Sequence, residues 1–470
     1  MEFEERWENR QNDKEILDRY ESMRSSGSSV YFDIDELELI IEKYFENNQL
    51  DRAVEVIHHG LELFPSSTLL LLREAQILAV MGKLSKAIPK LKHLIKLEPT
   101  NDEIYLSLAS VYSQLRDHKN AITYYARAFE LSDDFVRDDI YVDMSLEYQS
   151  IGKWNEAISI LQKAVKANPE NETATYELAH CYDVSDRLGL GVRFFNEFLD
   201  EHPYSFSAWY NLGLMHMKLG NFDKAASALE FCTAIESEFT PALQDLATCY
   251  FELDEYERAA SALLDLIGLE APDSTILTFL GECFEKLELF ERALEYYDEA
   301  IEQDQYFFEA FLGKAVVLEE LGKPEESVVY LELASELDES GLSATLLANA
   351  YATHGSRARA INTYKQLNKR LPHFEEGWLA HIQFFGERKE YENALAVVEF
   401  ALTENPHSGS LLYRKIAYLH ALNQVDKARV LFDYVVASGY QEIDELLESY
   451  PEILKDPAFA LRIEEEISKS

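Results

Sequence analysis

Residues 222–236 read FDKAASALEFCTAIE, residues 256–270 read YERAASALLDLIGLE, and residues 290–304 read FERALEYYDEAIEQD. Each stretch begins 34 residues after the one before it. Each opens on an aromatic residue and reaches an alanine three residues later. A fixed period of this size is the mark of stacked structural repeats, in which every unit touches only its neighbours. Extended outward, the register sets unit starts at Ile34, Thr68, Asp102, Asp138, Glu172, Phe206, Thr240, Ser274, Phe308, Gly341, Glu375 and Gly409. The spacing is 34 except for 36 before Asp138 and 33 before Gly341. Both slips fall between units, where a loop is expected to absorb them.

The columns of this register carry the fold class. Position 20 is Ala in ten of twelve units, from Ala53 to Ala428, with Gly191 and Ser327 completing it. Average composition would put about one Ala there. A small residue at a fixed place lets two helices cross closely. Position 8 is small in nine units, and position 11 is mostly aromatic, as at Tyr112, Tyr148, Tyr250 and Phe284. Pro65, Pro99, Pro169, Pro203, Pro372 and Pro406 occupy position 32 and stop the second helix. Gly82, Gly152, Gly220 and Gly322 separate the first helix from the second. The chain is therefore expected to be all-α, built of helix–turn–helix units.

Trp209, Leu212, Gly213 and Ala225 in one unit, and Trp378, Phe385, Ala394, Ala401 and Pro406 in another, resemble the signature of the tetratricopeptide repeat family, as a bacterial-type multi-repeat array. The resemblance implies an α-solenoid, a right-handed superhelix of about twelve repeats over residues 34–438. Residues 1–33 are expected to be a polar segment, a short fraying helix followed by the flexible SSGSS linker. Residues 439–470 carry spaced apolar residues, among them Leu446, Ile453, Phe459 and Ile463, and are expected to be capping helices over the open end of the stack. The unit from Glu172 departs most from the pattern, with Gly191 at position 20 and Phe198 at position 27, and local distortion is expected there.

Composition narrows the function. Apolar residues make up 47% of the 470 and aromatics 12%, enough for an extensive core. The net charge of −43 opposes the phosphate backbone of nucleic acid and anionic membrane surfaces. The acidic start lacks an apolar leader core and no run of 18 apolar residues occurs, so a cytoplasmic protein is expected. Cys181, Cys249 and Cys283 share position 10 and Cys232 sits at position 27. The resemblance implies that both are small, buried positions, so the four cysteines read as packing residues. GxxxxGK[ST], HExxH and GxSxG are missing, and His58 and His59 lack chelating spacing. No metal, cofactor or enzymatic activity is expected.

By the same resemblance, partners bind a concave groove lined by positions 2, 5, 9, 12 and 13 of the first helices, all expected to be exposed. Position 5 carries neither Lys nor Arg, which excludes the cationic clamp that some family members use on acidic peptide termini. Two groups stand out. Tyr176, His180, Tyr210, Leu214, Met217 and Phe251 form an amphipathic aromatic set suited to anchoring side chains. Glu282, Glu285, Glu309, Glu319 and Glu320 follow, within a stretch, 251–340, that holds 25 acidic and 5 basic residues. Residues 341–440 hold 9 acidic and 11 basic ones, so the charge is localised. The expected function is a protein-binding scaffold or adaptor for an extended or basic partner segment. The alternatives are an accessory subunit docking onto an enzyme and, disfavoured by charge, an RNA-binding protein.

Overall fold

A computed structural model describes residues 2–26 and 30–467, and among these no strand occurs. After α1 (Glu2–Ser26), twelve hairpins follow in sequence. Their first helices are α2 (Ile34–Glu46), α4 (Thr68–Val80), α6 (Asp102–Gln114), α8 (Asp134–Ser150), α10 (Glu172–Val184), α12 (Phe206–Lys218), α14 (Thr240–Glu252), α16 (Ser274–Lys286), α18 (Phe308–Glu320), α20 (Leu342–Thr353), α22 (Glu375–Glu387) and α24 (Gly409–Ala421). Their second helices are α3 (Leu50–Leu63), α5 (Leu84–Leu97), α7 (His118–Leu131), α9 (Trp154–Ala167), α11 (Leu188–Glu201), α13 (Phe222–Ile235), α15 (Tyr256–Leu269), α17 (Phe290–Gln303), α19 (Pro324–Leu337), α21 (Arg357–Arg370), α23 (Tyr391–Glu404) and α25 (Val425–Ala437). Two short helices, α26 (Asp444–Ser449) and α27 (Pro457–Ile467), close the chain. The chain divides into two compact units, residues 1–237 and 238–470.

One turn is repeated in every hairpin. The residue at position 15 has positive φ in all twelve: Gly82, Gly152, Gly220, Gly322 and Gly355, and also Asn48, Arg116, Asp186, Asp254, Glu288, Lys389 and Asn423. The next N–H then reaches back to the carbonyl of position 11, at 2.7–3.0 Å. This six-residue closure satisfies a carbonyl that the helix end would otherwise leave bare. The turn is thus fixed by backbone hydrogen bonding, and seven side-chain-bearing residues accept the left-handed conformation.

The two slips are absorbed differently from the loop expectation. Before Asp138 the extra residues extend α8 by one turn, which starts at Asp134 and is capped by the Asp133 side chain accepting from Val136 N. Before α20 the chain passes through Gly341 at φ 95°, where a Cβ would strike Leu367 and Leu371. The unit from Glu172 keeps helices of 13 and 14 residues. Gly191 there leaves room for Met215 and Tyr182, and Phe194, Phe195 and Phe198 fill the volume, so a redistribution of side-chain volume replaces the expected distortion.

The first and last hairpins are both covered by residues outside the repeats. Ile443, Leu446, Ile453, Phe459 and Ile463 are buried in one cluster with Tyr413, Ile416 and Phe432 of α24 and α25. At the other end α1 is a 25-residue helix rather than a short fraying one. Its Tyr20 is buried edge-on to Phe32, with Ile16, Leu17 and Met23 against the same cluster. Glu21 accepts from the Tyr44 hydroxyl and pairs with Arg52 at 3.0 Å. Of the expected SSGSS linker, Ser25 and Ser26 end α1, and residues 27–29 lie outside the described residues. No helix among the described residues is long and apolar enough to cross a membrane.

Candidate functional site

The first helices expose the faces on which binding residues would sit. In the first compact unit α2, α4, α6 and α8 together bound a cleft of about 900 Å³. Phe45, Val80, Leu106 and Val136 give it an apolar wall, and Glu42, Glu46, Asp139 and Asp143 an acidic one. Its one lining cation, Arg73, is already tied down. Arg73 donates to Glu38 at 2.7 Å and pairs with Glu103, and Gln76 links Glu103 to Ser107 at 3.0 and 2.9 Å. At the far side Tyr125 and Asp143 line the cleft together. Burial pushes the Asp143 carboxyl up, Tyr125 opposes this, and Asp139 and Glu147 reinforce it. Sequence reasoning missed this cleft, because its members come from several different positions of four separate units and share no motif.

Tyr176 and Tyr210 lie in the same compact unit and meet edge-to-face, with centroids 6.2 Å apart. Both are half-buried, as are Leu214 and Met217, while His180 is exposed. Burial, then Glu172, pushes the Tyr176 hydroxyl up to about 12. Lys218, which should have brought positive charge to this face, is paired with Asp183. The tyrosines thus form a joined aromatic surface rather than separate anchors.

In the second unit Phe251 packs edge-on to Tyr256 and Phe279, at 5.2 and 5.3 Å. Glu282 and Glu285 are half-buried neighbours on α16. Burial raises both carboxyls, and for Glu282 the charges of Glu285 and Glu309 add to it, with Lys286 opposing. Glu285 accepts from the Tyr297 hydroxyl at 2.9 Å. Glu319 Oε1 lies 2.6 Å from His354 Nε2, whereas Glu320 is exposed.

Position 5 corrects the expectation of uniform exposure. Leu72, Thr278 and Tyr413 are 2%, 4% and 1% exposed. Tyr413 is covered by the C-terminal cap, its hydroxyl donating to the Tyr440 carbonyl at 3.0 Å. The four cysteines are free and buried, and burial pushes each thiol up to about 12. No group of three or more potential metal ligands occurs among the described residues.

Comparison with known proteins agrees with the hairpin register. Family models described as tetratricopeptide repeat match residues 102–135, 142–206, 186–230, 216–283 and 290–340. The chain is a tetratricopeptide-repeat protein. Among its relatives, the human protein O-mannosyl-transferase TMTC1 is 26% identical over 133 residues, 28% of this chain and 15% of that protein. The BBSome complex member BBS4 homolog of Drosophila melanogaster is 22% identical over 192 residues, 41% of this chain and 39% of that protein. The matches thus span well under half the length of these relatives. Among solved structures, a chain of the APC/C hetero-tetramer Cut9-Hcn1 aligns over 89% of this chain and 93% of its own at 15% identity, with a TM-score of 0.36. In this tetratricopeptide-repeat chain the first-helix faces therefore combine aromatic surface with partly desolvated carboxylates.

Proposed function

We propose that the protein is a scaffold whose first-helix faces hold extended partner segments carrying basic and apolar side chains. The observation that carries this reading is the Glu282–Glu285 pair. Two half-buried carboxylates stand three residues apart on α16; Glu285 and Glu309 raise Glu282, Glu320 raises Glu285, and Lys286 offsets both. A partner ammonium or guanidinium would relieve that repulsion on binding. The acidic, apolar-walled cleft around Asp139 and Asp143 suits the same chemistry. Within residues 1–237, Tyr176 and Tyr210 would take apolar side chains; within residues 238–470, Phe251 would do the same and Glu309, Glu319 and Glu320 would line the path of basic ones. A cytoplasmic setting belongs to the proposal and is supported by four free cysteines, since a reducing compartment keeps thiols in that form.

The test is binding kinetics with a peptide alternating Lys or Arg with Leu or Phe, at two salt concentrations. Glu319→Lys with Glu320→Lys should slow association and flatten the salt dependence, each rim pair contributing about 0–1 kcal/mol. Tyr210→Ala should speed dissociation, by about 2 kcal/mol if it is a hot spot. Unchanged rates in both variants would place binding elsewhere.

A further inference from the structure

The unit from Glu375 holds a second kind of site, away from the first-helix face. Between α21 and α23, the second helices of successive units, lies a cavity of about 620 Å³ with α22 at its side. Trp378 and Phe400 line it, with ring centroids 5.7 Å apart and planes at 45°. Phe400 is 61% exposed. His381 and Asn368 also line it, and both are nearly fully buried, at 3% and 4% exposure.

These two polar residues are satisfied toward each other and nowhere else. Asn368 Nδ2 lies 3.2 Å from His381 Nδ1, and the imidazole stacks on Tyr364. Burial, then Lys365, drives the His381 pKa down to about 4, so the ring is neutral near pH 7. With Asn368 donating, Nδ1 accepts and the ring proton sits on Nε2. Nε2 and the Asn368 carbonyl oxygen are both buried without a partner. One donor and one acceptor thus remain unused among the lining residues, which is a destabilising arrangement in a free protein.

The unit from Phe206 is an internal control. Trp209 and Trp378 each donate from Nε1 to a proline carbonyl at 2.8 Å, from Pro203 and Pro372. Trp209 stacks on Phe231 at 4.5 Å and 22°, so there the rings close on each other. At the places of Asn368 and His381 that unit has Leu199 and Leu212, both buried. At the places of Lys365 and Lys369 it has Asn196 and Asp200. The same frame is therefore apolar and shut in one unit, and open, polar-floored and basic-rimmed in the other. A buried polar pair at the places of two leucines, with hydrogen-bonding capacity left over, suits a polar ligand.

We propose that this cavity binds an acidic peptide segment, with an apolar side chain between Trp378 and Phe400. The Asn368 oxygen and His381 Nε2 both lie just beneath the cavity surface, so a peptide N–H for the first and a C=O for the second would reach them as the inserted side chain parts Trp378 and Phe400. The charge favours an acidic one: Lys365 and Lys369 stand on the α21 rim, opposed by Glu404 on the α23 side, within the stretch 341–440 that is net positive in a chain of net −43. This site takes the opposite charge from the first-helix face and does not depend on it.

The experiment is calorimetric titration of the full chain with the acetylated, amidated peptide Asp-Leu-Phe-Glu, with Lys-Leu-Phe-Lys, and with phenylacetate. The acidic peptide should bind and the basic one should not compete for the site. His381→Leu with Asn368→Leu should weaken the acidic peptide at least tenfold while leaving the melting temperature equal or higher. Lys365→Glu with Lys369→Glu, both exposed, should weaken it at low salt without altering the fold. Glu282→Gln with Glu285→Gln should leave it unchanged, which separates this site from the scaffold reading. Retained affinity in the Leu/Leu variant would overturn the assignment. So would phenylacetate binding without peptide binding, which would make the pocket a site for a free small acid.

Discussion

Gly313→Ala and Gly268→Ala are one chemical change at two helical positions, and they should move stability in opposite directions. Tyr297 is fully buried, with Gly281 against one side of its ring and Gly313 against another. A Cβ at Gly313 would lie 2.7 Å from the Tyr297 hydroxyl oxygen and closer still to its ring carbons. The ring has no retreat, because a Cβ at Gly281 would already sit 2.7 Å from Cε1, leaving no slack on that side. Overpacking of this kind costs about 1–3 kcal/mol, offset by about 1 kcal/mol of helix propensity. The net is a loss of up to about 2 kcal/mol, localised to α16–α18. At Gly268 on α15 nothing lies within 4 Å of an added Cβ, so the propensity gain of about 1 kcal/mol stands alone. Stacked repeats need not unfold all at once. Amide hydrogen exchange resolved by helix is therefore the assay, with urea unfolding beside it. Exchange in α16–α18 should quicken for Gly313→Ala and slow in α15 for Gly268→Ala. Adding Tyr297→Leu to Gly313→Ala should be less than additive, since the two residues share one volume. Equal stability of the two alanine variants would refute the close-approach argument.

The four cysteines, buried and with thiols near 12, should react with a thiol reagent only at the rate of local opening, and rapid native labelling of Cys249 or Cys283 would contradict the packing. For Glu282 and Glu285 the folded pKa lies above the ordinary 4.5, so the stability they contribute is intact below that value and is lost as pH rises through the folded pKa. Glu282→Gln with Glu285→Gln should therefore raise the melting temperature at pH 7 and have little effect at pH 4, as read by thermal melts across that range. Removing residues 439–470 strips five buried apolar residues from their cluster, each contributing about 1.5–3 kcal/mol, whereas removing residues 1–26 strips chiefly Tyr20. Both truncations should lower the melting temperature and promote aggregation in light scattering, the C-terminal one more.

The hairpins were legible because small residues recur wherever helices cross: a column such as Ala225, Ala259 and Ala293 reports a backbone distance directly. The cysteines were legible for the same reason. What depended on the neighbouring unit was not. Whether a position-5 side chain reaches solvent is decided by what stands beside it, and for Tyr413 that is Tyr440, in a tail without the repeat. The packing of α1 was hidden in a charged sequence, since one buried tyrosine and three partly buried apolar residues give almost no amphipathic pattern. Asp143 and Tyr125 meet across a unit boundary, and no spacing rule pairs them. His381 shares position 7 with Glu74, Lys314 and Lys415, so no pattern marked it, and only the paired Trp–Phe frames set it beside a cavity.

The shared turn at position 15 also sets how such a chain can change length. Because every hairpin ends its first helix with the same backbone closure, whichever side chain it carries, excising 34 residues from one turn to the next joins two equivalent backbones. A deletion that joins unlike points of two hairpins would rotate everything downstream out of its groove. Two places already tolerate a departure, the added turn of α8 and the left-handed Gly341. Growth or loss by whole units is thus mechanically easy along most of the array, and insertions of one to four residues are expected to survive only at those two joints.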